Sequence, residues 1–267
     1  MAKVRIDLLL FEKKLVDSRS LAQRLVMAGE IFVNGEKMLK PSQKVEEDAK
    51  IEIKSGPKFV SRGGEKLEAG LIGFNLTNLE NKICVDVGSS TGGFTDCLLQ
   101  FGAKKVYAID VGYGILHWKL RNDPRVVVME KTNARNVKSF QDPIDLVTID
   151  ASFISLKVLL PIVKLWLKKN SEIVMLIKPQ FEAGRKDAAK GAGVIRDPVL
   201  HRKIILETVD YAHQMGFGLV NLIVSPLKGP KGNIEFLAHL RMDEANTINN
   251  ESLISKLDDL IPSIETS

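Results

Sequence analysis

From about residue 61 to residue 241, short apolar runs alternate with amphipathic stretches. The runs that predict strands are residues 83–87, 105–109, 126–129, 144–149, 173–177, 219–224 and 234–240. Helical spacing of apolar residues predicts helices near residues 94–101, 113–120, 156–168 and 198–215. This alternation is typical of a mostly parallel sheet that is covered on both faces. The pattern therefore predicts an α/β domain with a seven-stranded sheet, whose last two strands are antiparallel because a short Pro- and Gly-rich connection joins them.

The first 60 residues follow a different pattern. Apolar positions predict one helix that begins at Ile6 and a second that Ser18 caps. A short strand then leads into Asn34-Gly35, which is typical of a type I′ hairpin turn, and residues 51–53 predict a closing strand. This segment therefore predicts a small α+β unit.

A polar stretch, residues 54–58, separates the two patterns and is typical of a linker. We therefore predict a small domain over residues 1–59 and a larger one over residues 60–267. The chain after Met242 is rich in polar residues, and we expect this tail to be loosely ordered.

The net charge of the chain is concentrated at its beginning. Lys and Arg total 38 against 33 Asp and Glu, a net charge of +5. Residues 1–62 hold 13 of the basic and 9 of the acidic residues, which is +4, so the remainder carries only +1. A basic segment on a near-neutral body suits a polyanionic partner. A well-solvated basic surface would explain the same count.

Cysteine and apolar content exclude several classes of protein. Cys84 and Cys97 are too few for a disulfide framework or a four-thiolate zinc site, and no metal-ligand spacing is visible, so no metal is expected. Charges interrupt the first apolar run, unlike in a signal peptide. The most apolar stretch, residues 156–167, contains lysines and is shorter than the about 20 residues that cross a bilayer. We expect a cytoplasmic protein.

A glycine-rich turn, residues 86–94 (DVGSSTGGF), follows the first strand of the larger domain and opens a helix. Such a turn lets a ligand approach the backbone and the amides of a helix N-terminus. Ser90 replaces the second glycine of a dinucleotide fingerprint, and no Gly-Lys-Ser/Thr ending marks a P-loop. A nucleoside ligand without phosphate fits better, held partly by Asp86 and by Asp110, which ends the second strand and can accept hydrogen bonds from ribose hydroxyls.

This arrangement is typical of an S-adenosylmethionine site, although a tight turn without a ligand would also give this pattern. The residues predicted to contact the cofactor are Asp86, Gly88, Ser89, Ser90, Thr91, Gly92, Gly93, Phe94 and Asp110.

Four charged residues occupy positions that a purely structural sequence would avoid. Asp150 and Lys178 each end an apolar strand, where parallel sheets form their ligand crevice, Glu235 lies within the last predicted strand and Lys66 lies on a short helix. Taken singly, each can be a surface charge. Together they suit methyl transfer to an alcohol such as an RNA 2′-hydroxyl. Burial and a second cation lower a lysine pKa, so we predict Lys178 as the base, oriented by Lys66 and Asp150, with Glu235 holding Lys66 or the ribose.

Several separated motifs resemble the TlyA or hemolysin A family. They are residues 60–67 (VSRGGEKL), 86–95 (DVGSSTGGFT), 110–114 (DVGYG), 176–182 (LIKPQFE) and 232–235 (GNIE). The resemblance implies a Rossmann-like, S-adenosylmethionine-dependent methyltransferase fold similar to FtsJ, and a methyl transfer to the ribose of a cytidine in 16S and/or 23S rRNA. It assigns the family's catalytic tetrad to the four charged residues above and, by analogy, places Thr132 and Asn133 near the adenine.

Residues 18–25 (SRSLAQRL) and 33–35 (VNG) resemble the RNA-binding module named after ribosomal small-subunit protein four. Arg19 and Gln23 are four residues apart and so share one helical face. The predicted RNA-binding residues are Arg5, Arg19, Gln23, Arg24 and Lys37. Ribosomal RNA or a ribosomal subunit is the expected partner, recognised through its backbone and shape.

Two alternatives belong to other functional classes. One is a membrane-active hemolysin, which the older family name suggests, and the other is an RNA-binding protein that performs no catalysis. Lysis of liposomes by the purified protein would support the first. An intact set of four charged residues argues against the second.

Overall fold

A computed structural model of the protein describes residues 3–54, 57–184, 193–242 and 247–261. The chain divides into two compact units, Met1–Lys58 and Phe59–Ser267. The boundary lies one residue before the predicted one because Phe59 is buried in the core of the larger unit, where its ring packs directly on Gly64.

The smaller unit is built from two helices and five short strands. They are β1 (Lys3–Arg5), α1 (Ile6–Glu12), α2 (Arg19–Met27), β2 (Ile31–Val33), β3 (Glu36–Lys37), β4 (Lys44–Glu46) and β5 (Ile51–Ile53). Strand β1 pairs with β4, and the order β3-β2-β5 forms a second sheet. Two predicted local signals are confirmed: Ser18 Oγ accepts a hydrogen bond from the Leu21 amide at 3.2 Å, and Asn34 and Gly35 both have positive φ, as a type I′ turn requires.

The larger unit is an α/β domain around one seven-stranded sheet. Its strands are β6 (Ile83–Val87), β7 (Lys105–Ile109), β8 (Val126–Met129), β9 (Ile144–Ile149), β10 (Leu167–Ile177), β11 (Gly218–Val224) and β12 (Phe236–Arg241). Its helices are α3 (Gly63–Gly73), α4 (Gly93–Gln100), α5 (Trp118–Arg121), α6 (Leu156–Lys164), α7 (Pro179–Glu182), α8 (Pro198–Gln214) and α9 (Asn250–Leu260), with a 3₁₀ turn at Ala134–Asn136. Buried apolar clusters cover both faces of the sheet.

The strand order β11-β12-β10-β9-β6-β7-β8 confirms the predicted fold class. Strand β12 runs antiparallel to β11, as predicted, and also to β10, which the sequence did not indicate. The remaining neighbours are parallel. After β6, the chain forms β7 and β8 on one side of β6. It then crosses the sheet and forms β9 on the other side of β6. The carboxyl ends of β6 and β9 therefore flank the switch point of the sheet, which is where open α/β sheets bind ligands.

The helix predicted near residues 113–120 is much shorter in the structure. Only α5 is helical, because the carboxylate of Glu130 accepts hydrogen bonds from the amides of Gly114, Ile115 and Leu116 at 2.9–3.1 Å. These amides therefore lie in a loop that a side chain from the end of β8 holds in place.

Two other predicted boundaries also differ. Helix α6 ends at Lys164 rather than near residue 168, since β10 already begins at Leu167 and pairs irregularly with β9 before Glu172. Strand β12 begins at Phe236, so Glu235 precedes the strand rather than lying within it.

The expectation of a loosely ordered tail was wrong over residues 250–260, which form α9. Asn249 Oδ1 caps this helix by accepting from the Ser252 amide at 2.8 Å. Leu253 and Leu257 are buried in the core, and this four-residue spacing of leucines is the apolar stripe that the polar composition concealed.

Candidate active site

The glycine-rich turn is fastened to the neighbouring strands at the switch point. Gly88 has a φ of +84°, and a Cβ atom there would lie 2.6 Å from the carbonyl oxygen of Asp150. The Asp150 amide in turn donates to the carbonyl of Val87 at 2.9 Å. On the other side, the amides of Gly88 and Ser89 both donate to the carbonyl of Ile109. Only glycine allows this close approach of the turn to the end of β9.

Asp110, at the end of β7, fixes the outer side of the turn. Its Oδ2 accepts a hydrogen bond from the Ser90 amide at 2.8 Å, and its Oδ1 accepts one from the Gly112 amide at 2.7 Å. Each carboxylate oxygen has a second lone pair, so Asp110 can still accept hydrogen bonds from the hydroxyls of a ligand.

A cleft of 420 Å³ opens between these strand ends. Five predicted cofactor residues line it: Gly88, Ser90, Asp110, Thr132 and Asn133. Its other walls are mainly apolar, with Val111, Ile115, Phe153, Ile154 and Leu159 among them. An acidic group beside apolar walls suits a nucleoside, whose base is flat and whose sugar carries hydroxyls.

A second cleft, of 240 Å³, adjoins the first and shares Gly88, Ser90 and Asp150 with it. Its further lining includes Arg62, Lys66, Thr91 and Lys228. The two clefts thus meet at the turn and at the carboxyl end of β9, and the smaller one has a basic lining.

The four predicted catalytic residues form two ion pairs. Lys178 Nζ lies 2.5 Å from Asp150 Oδ1 and donates to Ser152 Oγ at 3.0 Å. Lys66 Nζ lies 2.5 Å from Glu235 Oε2. Lys66 is therefore paired with Glu235, while the roles expected of Lys66 and Glu235 in orienting Lys178 or holding the ribose stay predictions.

Both pairs are largely buried. Lys66 and Asp150 line the smaller cleft, whereas Lys178 and Glu235 lie behind them and line neither cleft. The side chains of Lys178 and Asp150 are 9% and 22% exposed, and those of Lys66 and Glu235 are 11% and 1% exposed. Gln180 Nε2 donates to the remaining Glu235 oxygen at 3.3 Å. Because an unpaired buried charge is strongly destabilising, removal of either carboxylate would leave its lysine ammonium unpaired at a large cost in stability.

The turn residues divide between the clefts, which the sequence did not indicate. Four of them line the smaller cleft and not the larger: Ser89, Thr91, Gly93 and Phe94. Gly92 lines neither cleft. It has a φ of +98°, and a Cβ atom there would meet the side chains of Leu120 and Leu116.

Asp86 also lies outside both clefts, so the predicted direct contact with the cofactor is not supported by its position. Its fully buried carboxylate accepts hydrogen bonds from Thr95 Oγ1 at 2.6 Å and from Thr148 Oγ1 at 3.3 Å. Burial raises the pKa of Asp86 to about 7, because the hydrogen bonds only partly offset the cost of burying the charge.

This raised pKa makes a prediction for Asp86→Asn. Between about pH 4 and pH 7 the folded protein binds more protons at Asp86 than the unfolded chain, so this group lowers stability as pH rises through that window. The amide does not titrate. We therefore expect the unfolding free energy of the variant minus that of the wild type to rise by up to about 4 kcal/mol as the pH is raised from 4 to 8. Chemical denaturation across this range measures it, and a difference that does not change with pH would contradict it.

Three polar or aromatic residues at the site were missed by sequence reasoning. Ser152 and Gln180 each follow a predicted residue by two positions and bind one of the ion pairs. Phe153 is highly exposed, adopts a left-handed backbone (φ +64°) that is unusual for a bulky residue, and lies with its ring 5.0 Å from that of Phe181. No spacing in the sequence distinguishes these side chains from ordinary loop residues.

In the smaller unit, three predicted RNA-binding residues converge on a buried acid. Arg5, Arg19 and Gln23 all donate hydrogen bonds to the carboxylate of Asp7. The other two, Arg24 and Lys37, are exposed, and the side chain of Lys37 runs over Gly29.

Metal sites and membrane-spanning helices are both absent from the part of the chain that the structure describes. It contains no group of three or more His, Cys, Asp or Glu side chains arranged to hold a metal ion. Within the same residues, no helix has both the length and the apolar character needed to cross a membrane.

Comparison with known proteins identifies the family. Residues 59–242 match the model of FtsJ-like methyltransferases. The chain belongs to the FtsJ-like methyltransferase family. Residues 4–51 match the S4 domain. The predicted family and fold are therefore confirmed.

Relatives with assigned names cover nearly the whole chain. A Mycobacterium tuberculosis protein named 16S/23S rRNA (cytidine-2′-O)-methyltransferase TlyA is 39% identical over 255 residues, which are 94% of each chain. The protein named hemolysin A from Brachyspira hyodysenteriae is 48% identical over 88% of this chain and 99% of its own. A solved structure from Streptococcus thermophilus, which also bears the name hemolysin, has a TM-score of 0.72 at 39% identity and covers both chains completely. Methyltransferase and hemolysin are thus two names within one family.

Proposed function

We propose that this protein is an S-adenosylmethionine-dependent methyltransferase that methylates the ribose 2′-hydroxyl of a cytidine in 16S and/or 23S rRNA. The observation that carries the proposal is the pair of lysine–carboxylate contacts beside a cleft that adjoins a nucleoside-sized cleft. The name of the M. tuberculosis relative supports the substrate. A ribosomal substrate would also place the protein in the cytoplasm.

The larger cleft fits the cofactor. Asp110 would bind the ribose hydroxyls through its remaining lone pairs, and Thr132 and Asn133 would lie beside the adenine. Gly88 and Ser90 line both clefts and would face the methionine part of the cofactor near the acceptor. When bound, the cofactor would supply an electrophilic methyl group on a sulfonium. The other turn residues and Asp86 would act by shaping the turn or lining the acceptor cleft.

The smaller cleft would hold the acceptor ribose. In this proposal Lys178 Nζ, in its neutral form, would accept the proton of the 2′-hydroxyl. The ribose oxygen would bond to the methyl carbon as the bond from that carbon to the sulfonium breaks, which leaves a neutral thioether. Asp150 and Ser152, which already contact Nζ, would stabilise the resulting ammonium. Glu235 keeps Lys66 at the cleft wall, where the ammonium can bind the ribose, and Gln180 holds Glu235. Catalysis would then depend mainly on positioning and on removal of this proton.

The N-terminal unit, which we assign together with the linker as an RNA-binding domain over residues 1–59, would bind the ribosomal RNA. The S4 match supports this assignment, and so do the positive charge of the segment and the exposed Arg24 and Lys37. These groups would bind phosphates, which position an RNA without reading its sequence.

Methylation of isolated ribosomal subunits tests the function. We expect incubation with methyl-labelled S-adenosylmethionine to place label on the 2′-oxygen of one cytidine in the 30S subunit, the 50S subunit or both, and mass mapping of RNA fragments locates it. Label on a base, or no label on either subunit or on naked rRNA, would overturn the proposal. Release of dye from liposomes without methylation would support the hemolysin alternative instead.

A further inference from the structure

Asp7 lies at the centre of a charge cluster in the smaller unit. Its carboxylate is fully buried at the start of α1, while Arg5 comes from β1 and Arg19 and Gln23 come from α2. Arg5 contacts both carboxylate oxygens, through Nε at 2.9 Å and Nη2 at 3.0 Å. Arg19 Nε and Gln23 Nε2 donate to Oδ2 at 3.2 and 3.0 Å. One acid thus joins three elements of the unit.

The cluster has more positive charge than Asp7 can balance. Two guanidinium groups surround one carboxylate, which leaves a net charge of +1. The hydrogen bonds from Arg5, Arg19 and Gln23 hold the pKa of Asp7 well below its usual range, so the carboxylate stays ionised. The surplus positive charge is therefore present at neutral pH.

The two arginines reach the surface from this buried anchor. Their side chains are 38% and 48% exposed, whereas that of Asp7 is 0% exposed. Arg19 donates to Asp7 through Nε, which leaves the N–H groups of its two Nη atoms for a ligand. Without Asp7, two like charges would repel each other and their side chains would be free to move apart.

We propose that Asp7 is a positioning residue that holds Arg5 and Arg19 together as a site for one backbone phosphate of RNA. Arginine recognises phosphate through paired N–H groups in a fixed plane, so an arginine held by its inner N–H groups binds at a lower entropic cost than a free one. This inference rests on the proposed RNA-binding role of the unit and adds an acidic residue to it. An acid would otherwise be expected to weaken RNA binding.

The variant Asp7→Asn distinguishes a role of Asp7 in positioning the two arginines from the effect of its negative charge on RNA affinity. If charge alone governs affinity, removal of the carboxylate raises the net charge of the cluster and tightens RNA binding. If Asp7 positions the arginines, the full-length variant binds rRNA about tenfold more weakly, which is the usual effect of losing one charge-assisted contact. Filter binding to purified 16S and 23S rRNA over a range of salt concentrations measures this, while circular dichroism and thermal melting confirm that the variant is folded.

Arg19→Lys provides a matched second variant, because it keeps the charge but loses the planar fork. We expect it to weaken binding about as much as Asp7→Asn, and the double variant to be no weaker than either single one, since all three lose the same held pair. Additive losses, or tighter binding by Asp7→Asn, would overturn the proposal. If Asp7→Asn does not fold, an unchanged affinity of Arg19→Lys overturns it.

Arg24→Ala is the control on the same helix, outside the cluster. It should weaken binding slightly and reduce the salt dependence by about one charge. If RNA binding depends on Asp7 in this way but the wild-type protein does not methylate rRNA, the inference about Asp7 stands and the catalytic proposal is wrong. Absence of any RNA binding by the wild type would remove the RNA-binding proposal and this inference together.

Discussion

Lys178→Ala is expected to lower the rate of methyl transfer by about 10²- to 10⁴-fold, the usual contribution of general acid–base catalysis. The variant loses the proposed proton acceptor, and Asp150 and Ser152 lose the group that they orient. Cofactor affinity should change by less than about tenfold, because Lys178 does not line the larger cleft. Single-turnover methylation and a separate measurement of cofactor binding distinguish these effects.

Lys104→Ala is the matched control, since Lys104 is an exposed lysine of the same domain. It should methylate at the wild-type rate. Because removal of Lys178 leaves Asp150 partly buried without its cation, the double variant Lys178→Ala/Asp150→Ala should be more stable than the single one and equally inactive. Near-normal turnover by Lys178→Ala would exclude this lysine as the base.

Gly88→Ala is expected to lower methyl transfer by at least about 100-fold, the cost of a displacement of roughly 1 Å in a catalytic arrangement. The added methyl group would lie 2.6 Å from the Asp150 carbonyl, and the positive φ of the residue disfavours any side chain. The turn must therefore move away from β9, and this separates the walls that the two clefts share. Weaker cofactor binding should accompany the lost activity, and both can be measured on the same preparation.

Gly216→Ala isolates the backbone effect. Gly216 has nearly the same φ, +83°, but its nearest neighbour would be the flexible Lys164 Nζ at 3.5 Å, and it lines neither cleft. It should lose stability to a similar strain while it keeps its activity. Equal loss of activity in the two variants would show that strain, and not the contact with β9, explains the effect at Gly88.

The buried charged groups that the proposed chemistry requires contribute little to the stability of the fold, or lower it. Buried ion pairs such as Lys66–Glu235 contribute little net stability, because the cost of removing both charges from water offsets their attraction. The raised pKa of Asp86 adds a further cost at neutral pH. The large apolar clusters on both faces of the sheet must offset these terms.

Much of the larger domain could be predicted from local patterns. Strand β6 and the glycine-rich turn after it are specified within about a dozen neighbouring residues, because a short apolar run and the chemistry of the turn depend on near neighbours. The same reasoning placed Asp150 and Lys178 at strand ends, where parallel topology brings side chains together. In contrast, the length of α5 depended on Glu130, and the order of α9 depended on a core that covers two of its leucines.

Which charges pair with which is the part that only the tertiary structure decided. The sequence left open whether Glu235 holds Lys66 or the ribose, and Arg5, Arg19 and Gln23 were predicted to face RNA directly although Asp7 binds all three. Strand and turn signals arise from neighbours along the chain, whereas an ion pair arises from distance in space. Packing alone sets that distance, because electrostatic attraction between groups in water is too weak and too well screened to select a partner before the fold has formed.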